Sequence, residues 1–187
     1  MLIKILWFIR ALFLKLLLGS IGIPSYLGKP IYISGYKKIF LGCKVRIFPG
    51  LRIEAIGKNA KIIIKDNVSI GQNLHITAMD ELVINQGTLI TGNVFITDID
   101  HDYSEIGQPI FSQKMLSKKT EIGKNCFIGF GAGIQAGTIL GEQCIVGAHS
   151  VVRGVFPPFS VISGAPAKVI KQYDPEKKKW FRTNIKK

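Results

Sequence analysis

Residues 122–152 read IGKNCFIGFGAGIQAGTILGEQCIVGAHSVV, and this stretch decides the fold. An aliphatic residue recurs at every sixth position, in the series Ile122, Ile128, Ile134, Leu140, Val146 and Val152. A small or short residue follows the first five by four positions, in the series Cys126, Ala132, Thr138, Cys144 and Ser150. A period of six matches neither a helix nor the alternation of one strand. It predicts short flat segments joined by corners, stacked as coils of roughly 18 residues in a solenoid.

The same period extends toward the N-terminus. Three earlier runs match it: Ile64, Ile70 and Ile76; Ile84, Ile90 and Ile96; and, more weakly, Ile39, Val45 and Leu51. In this register Cys43, Cys126 and Cys144 all fall at the inward small-residue position. We therefore expect three buried, reduced thiols rather than a disulfide or metal site.

One polar segment breaks the period. It reads TDIDHDYSEIGQPIFSQKMLSKKT from residue 97 to residue 120, and we expect residues 97–119 to protrude as a loop. Insertions in a solenoid project on one face, which is often the functional face. His101 lies at the base of this loop, flanked by Asp98, Asp100 and Asp102. A neighbouring carboxylate can orient an imidazole that acts as a general base.

Charge is unevenly distributed along the 187 residues, whose formal net charge is +13. Residues 1–65 contain twelve Lys and Arg and one acidic residue, whereas residues 66–165 contain five Lys and Arg and nine acidic residues. Residues 166–187 contain eight Lys and Arg and two acidic residues. Nucleic-acid-binding proteins carry their basic patch on the folded recognition module, and here the predicted core is the least basic part. We therefore expect no nucleic-acid partner.

The N-terminal segment, MLIKILWFIRALFLKLLLGSIGIP, is apolar but is interrupted by Lys4, Arg10 and Lys15. These cations disfavour a membrane-spanning helix and favour an interfacial one, with residues 1–23 as a peripheral membrane contact. A helix packed on its own domain or on a partner subunit is the alternative. We divide the chain into an apolar, basic N-terminal helix (1–30), the solenoid (31–165), and a C-terminal arm and helix (166–187).

Two stretches, residues 70–101 and 122–170, resemble the left-handed parallel β-helix acyltransferases of the hexapeptide-repeat family. The second ends in GAPAKVI, and the first ends with His101 in an Ile-x-x-x-x-His spacing. The branch it resembles is the polysaccharide and O-antigen O-acetyltransferases, related to the maltose and galactoside acetyltransferases. The resemblance implies a mainly β, left-handed parallel β-helix that works as a homotrimer. It also implies acetyl-CoA as the acyl donor, no metal, and a saccharide or lipid-linked saccharide as the acceptor.

The resemblance also implies roles for individual residues. His101 would take the proton from the acceptor hydroxyl, with Asp98 or Asp100 orienting the imidazole. Contacts to the coenzyme would come from Phe130, Ala148, Arg153, Lys168 and Lys171. Relatives commonly carry a Thr-Lys pair where this chain has Arg153 and Gly154, so Arg153 is a replacement cation. Apart from the resemblance, the geometry of the repeat places His75 one coil below Phe95 and Glu81 near the coil of His101, and we expect His75, Glu81 and the loop residue Tyr103 to bind the acceptor.

Two other functions stay open at this point: a sugar N-acetyltransferase on the same fold, and a non-catalytic scaffold or glycan-binding module. A γ-type carbonic anhydrase is disfavoured because His75, His101 and His149 lie 26 and 48 residues apart, unlike the short spacing that a zinc site requires. We expect the protein in the cytoplasm, at the inner face of the cytoplasmic membrane.

Overall fold

The computed structural model describes residues 2–183. One helix, α1 (Leu2–Leu14), precedes about seven coils of short strands that form three parallel sheets, or faces. Each strand pairs with the strands one coil before and after it, so the coils form a parallel β-helix and the predicted solenoid is confirmed. The first face comprises Ser20–Ile21, Ile39–Leu41, Lys61–Ile64, Glu81–Ile84, Thr120–Ile122, Ile139–Leu140 and Val155–Phe156.

The other two faces are built in the same way. The second face comprises Tyr26–Leu27, Arg46–Ile47, Ser69–Ile70, Leu89–Ile90, Phe127–Ile128, Ile145–Val146 and Ser160–Gly164. The third face comprises Tyr32–Ser34, Arg52–Ala55, His75–Ala78, Phe95–Thr97, Gly133–Ile134 and Val151–Val152. Two 3-10 turns, Tyr36–Lys38 and Ile110–Ser112, complete the helical content of the described residues.

Inward aliphatic side chains stack in columns from coil to coil. On the third face, Ile76 pairs with Ile96, and Ile96 pairs with Ile134. All three side chains are fully buried. Burying each one contributes about 1.5–3 kcal/mol, so the six-residue period is the sequence expression of this core.

The register of the first coils differs from the predicted one. Leu41 and Ile47 pair with Ile64 and Ile70, so the column runs two residues later than the series that begins at Ile39. Cys43 consequently lies in a corner and is exposed, and the prediction that it is buried was wrong. The ambiguity arises because Ile39 and Leu41 are both buried, so two phases of the period are apolar there.

Cys126 and Cys144 are buried free thiols, as predicted. The Cys126 Sγ donates to the carbonyl of Gly141, and the Cys144 Sγ donates to the carbonyl of Pro157, each at 3.2 Å. The adjacent Cys144 side chain and burial raise the pKa of Cys126. Burial and a carbonyl acceptor are common to both thiols, so both act as small core side chains.

Residues 166–183 contain strands where a C-terminal helix was predicted, so that prediction was wrong for this part of the chain; the last four residues, 184–187, lie outside the described residues. Ala167–Asp174 pairs antiparallel with Ser160–Gly164, and Lys179–Arg182 pairs antiparallel with Ala167–Asp174. We call these two added strands the tail hairpin. The aromatic rings of Tyr173 and Trp180 pack across it at 5.4 Å. Hydrogen bonds at the open edge of the second face outweigh any local helical preference in this basic segment.

Helix α1 packs on the start of the solenoid, whose first strand already begins at Ser20. Ala11 is fully buried in this contact, and the Trp7 ring meets the Phe48 ring at 5.3 Å. The Arg10 Nη1 donates to the carbonyl of Leu27 at 2.9 Å. Within residues 2–183, no helix has both the length and the apolar character needed to cross a bilayer.

Candidate active site

The segment that breaks the period forms a protruding β arm. Its strands, Ile99–His101 and Met115–Ser117, pair antiparallel and place His101 opposite Met115. The amide of Lys118 donates to the carbonyl of Asp98 at 2.8 Å and closes the base of the arm. Because both ends of the segment are held on the solenoid, His101 has a defined position at the arm's base.

A groove of about 450 Å³ lies between this base and the third face. Its lining residues are Glu54, Ile56, His75, Thr77, Phe95, Thr97, Ile99, Asp100, His101, Met115, Gln135, Ala136 and Arg153. Strand register explains several of them, since Glu54 pairs with Thr77 and Thr77 pairs with Thr97 on successive coils. The groove brings together four predicted site residues: His75, Asp100, His101 and Arg153.

Asp98 is fully buried beside the groove and does not line it. Its two carboxylate oxygens accept the amide N–H groups of Met79 and Asp80, each at 2.8 Å. Burial raises the pKa of Asp98 despite these hydrogen bonds. In the structure Asp98 therefore holds the corner at residues 79–80. The sequence had led us to expect that it orients the imidazole of His101.

Asp100 lies at the centre of a charged cluster. Its Oδ2 accepts from the Arg153 Nη2 at 2.6 Å and from the Lys118 Nζ at 3.2 Å. These two side chains lower the pKa of Asp100, so it stays ionised. Its Oδ1 accepts the backbone N–H of His101 at 3.1 Å. Asp100 thus fixes the main chain at His101, and its contacts do not include the imidazole ring.

His75 forms the opposite side of the groove with Glu54, a residue that the sequence reasoning missed. The His75 Nε2 lies 3.4 Å from the Glu54 Oε1, which accepts a hydrogen bond from the Arg52 Nε at 2.7 Å. That bond to Arg52 lowers the pKa of Glu54. The His75 ring also packs edge-on against Phe95 at 5.2 Å. Continuing the strand register to Arg52–Ala55 would have found Glu54, because Arg52 pairs with His75.

Two residues expected to bind the acceptor lie elsewhere. Glu81 is on the first face, in a separate groove that it shares with Lys37, Lys38 and Lys61. The extra residues between Ile76 and Ile84 form a corner. Glu81 consequently lies on the first face, whereas His101 lines the groove beside the third face. Tyr103 is on the outer part of the arm and is 73% exposed.

Four of the five expected coenzyme contacts fall in two places outside the groove. Phe130 and Ala148 are exposed at the corner between the second and third faces, where the Phe130 ring meets His149 at 5.7 Å. Lys168 and Lys171 are exposed in the tail hairpin. Arg153 differs from these four because it joins Asp100 in the groove.

No group of three or more His, Cys, Asp or Glu within residues 2–183 is arranged to hold a metal ion. What the groove offers is an exposed imidazole, a second histidine beside a carboxylate, and hydroxyl and amide side chains from Thr77 and Gln135. This set suits proton transfer to or from a polyhydroxylated ligand.

Comparisons with known proteins agree with this architecture. Residues 119–154 match the family model described as bacterial transferase hexapeptide (six repeats). The chain is 36% identical over 158 residues to WbbJ of Escherichia coli K12, a protein provisionally named as a lipopolysaccharide biosynthesis O-acetyl transferase. That match covers 81% of this chain and 80% of WbbJ. The galactoside O-acetyltransferase of the same organism is 27% identical over 147 residues, or 70% of each chain.

Among solved structures, AntD, an N-acyltransferase from Bacillus cereus, superimposes with a TM-score of 0.75 at 19% identity, covering 89% of each chain. That likeness concerns the fold. The chain belongs to the hexapeptide-repeat acyltransferase family. It is an acetyltransferase of this family, as the resemblance in sequence implied.

Proposed function

We propose that this acetyltransferase moves an acetyl group from acetyl-CoA to a saccharide hydroxyl, with His101 as the general base. The observation that carries the proposal is the position of His101, which lines the groove at the base of the arm. Thr77, Gln135 and the His75–Glu54 pair can hydrogen-bond to acceptor hydroxyls on the opposite wall. The names of WbbJ and of the galactoside O-acetyltransferase support a saccharide-related O-acceptor.

In this reaction a ring nitrogen of His101 accepts the proton of the acceptor hydroxyl as its oxygen attacks the thioester carbonyl. The new C–O bond forms, the C–S bond breaks, and the protonated imidazole returns its proton to the departing sulfur. The products are an acetyl ester and free coenzyme A. A positioned base is worth about 10² to 10⁴ in rate, because a sugar hydroxyl is barely ionised near neutral pH.

The coenzyme would lie along the corner that carries Phe130 and Ala148, with Lys168 and Lys171 meeting its phosphates. Both lysines are exposed, so their ammonium groups are free to act as point charges. AntD was solved with dTDP and 3-hydroxybutyryl-CoA, which supports an acyl-CoA donor for this fold. We further propose a homotrimer in which a neighbouring subunit closes the open side of the groove.

The test is a coenzyme-release assay with acetyl-CoA and a panel of free sugars, nucleotide sugars and lipid-linked saccharides. We expect His101→Ala to lower kcat/KM by about 10² to 10⁴ while the protein stays folded. The matched control is His75→Ala, which should change KM more than kcat because His75 contacts the acceptor. Full transfer by His101→Ala would refute the assignment of the base.

The same assay separates oxygen from nitrogen acceptors. An acetyl ester is released by mild hydroxylamine, whereas an acetamide survives it. A product that resists hydroxylamine would favour the sugar N-acetyltransferase. Absence of transfer to every acceptor in the panel would favour the glycan-binding module.

A further inference from the structure

Helix α1 presents a continuous apolar face to solvent. Successive residues of a helix are offset by about 100°, so six side chains fall within an arc of about 120° opposite the buried Ala11. Their exposed fractions lie between 41 and 81% in the set Leu2, Ile5, Leu6, Ile9, Leu12 and Phe13. Leu16 and Leu17, 76 and 51% exposed, continue this surface beyond the helix. An apolar patch of this extent marks a binding surface.

The opposite side of α1 is already occupied. Ala11 is buried against the first coils, Trp7 packs on Phe48, and Arg10 is hydrogen-bonded to the carbonyl of Leu27. These contacts use the side of the helix that faces the first coils. A ligand of the apolar face can therefore contact only the solvent-facing side of the helix. A flat surface can make this contact.

The surroundings of this face are strongly cationic. The first 51 residues contain eight Lys and Arg and neither Asp nor Glu. Lys4 lies with Arg46 in a cleft between α1 and the second face. Lys37 donates from its Nζ to the carbonyl of Leu16 at 3.0 Å, which places a further charge beside the apolar surface. An apolar face with cations on the opposite side of the helix and on the adjoining surface is typical of helices that lie in the plane of a lipid interface.

We propose that α1 docks the protein on an anionic lipid surface, with the six-residue apolar face among the acyl chains and the neighbouring cations among the headgroups. A second copy of the chain is a poorer occupant. Two such faces in contact would bring together two cationic clusters, and the first 51 residues contain no acid to neutralise them. An anionic headgroup layer supplies the missing charge, and each lysine near it strengthens binding by about fivefold at low salt.

The proposal is tested by flotation of the full chain with vesicles of phosphatidylcholine alone or mixed 7:3 with phosphatidylglycerol. We expect binding to the anionic vesicles that is at least about tenfold stronger than to neutral ones and that weakens in 0.5 M salt. Ile9→Glu combined with Phe13→Glu should reduce it at least about tenfold. The matched control combines Ile106→Glu with Phe111→Glu at the exposed tip of the arm and should bind like the parent.

Circular dichroism and thermal melting establish that each variant is folded, so the result does not depend on acetyl transfer. Equal flotation of the Ile9–Phe13 variant and the parent would overturn the proposal, as would a parent that fails to bind anionic vesicles. Self-association without lipid that disappears in the Ile9–Phe13 variant would overturn it in favour of a second copy. If a partner protein binds the apolar face instead, neither the parent nor any variant should bind vesicles, and this result would also overturn the proposal.

Discussion

Replacing Asp98 by alanine should destabilise the fold, because Asp98 holds a corner of the solenoid rather than the imidazole of His101. Asp98 is fully buried, and its carboxylate satisfies the amide groups of Met79 and Asp80 at 2.8 Å each. The alanine variant leaves both donors without an acceptor. The corner at residues 79–80 then loses its anchor to residue 98, whereas the main-chain carbonyl of residue 98 still accepts from Lys118 at the base of the arm.

The magnitude follows from those two hydrogen bonds. A hydrogen bond to a charged group contributes about 1.5–3 kcal/mol. Part of this is offset, because burial disfavours the ionised carboxylate and raises the pKa of Asp98. We therefore expect a net loss of roughly 2–4 kcal/mol in the free energy of unfolding. For a chain of 187 residues this corresponds to a fall in Tm of roughly 5–15 °C.

The assay is thermal unfolding followed by circular dichroism, together with the pH dependence of kcat/KM at a temperature where the variant is folded. The matched control is Asp102→Ala, which removes a local bond to the amide of Ser104 on the exposed arm and should melt with the parent. An Asp98→Ala protein that melts with the parent, yet shows a displaced pKa in its rate profile, would refute the reasoning. That outcome would return Asp98 to the role of orienting the imidazole.

Three further predictions concern the core, the thiols and the charged cluster. Ile96→Ala should cost about 2–5 kcal/mol, measured by denaturant unfolding, because the fully buried side chain leaves a cavity between coils. A thiol reagent should modify only Cys43 in the native protein and all three cysteines after unfolding; rapid native labelling of a second thiol would contradict the structure. The lowered pKa of Asp100 contributes stability that is present above its ordinary value of 3.8 and is lost as the pH falls through the lower folded value. Arg153→Gln should reduce this acid-dependent loss by less than about 1 kcal/mol, because the Arg153–Asp100 pair is partly solvated; an unchanged pH dependence would contradict it.

The sequence predicted the solenoid well because one physical requirement repeats at every coil. Each inward position between Ile122 and Val152 needs an apolar side chain that fits the column, so the spacing of those residues alone defines the register. The same reasoning failed near Cys43, where Ile39 and Leu41 are both apolar and two registers fit equally well. It failed again at the C-terminus, since the strands of the tail hairpin depend on a distant sheet edge rather than on their own residues.

The candidate site was predictable only in part. His101 was found because it ends the periodic pattern, and that signal is local. Glu54 lies 47 residues earlier and reaches the groove only through the stacking of coils, as its pairing with Thr77 shows. The partners of Asp98 and Arg153 depend on side-chain directions at corners. A repeat pattern contains no information about those directions.

The tail hairpin also limits how solenoids can associate. A parallel β-helix ends in strands whose free hydrogen-bonding groups could accept the first coil of another copy, and repeated addition would give a fibre. On the second face, Ala167–Asp174 occupies that position in the reverse direction. The incoming coil of another molecule would need a parallel neighbour there and meets an antiparallel one. The last residues of the described chain thus act against head-to-tail polymerisation along this face.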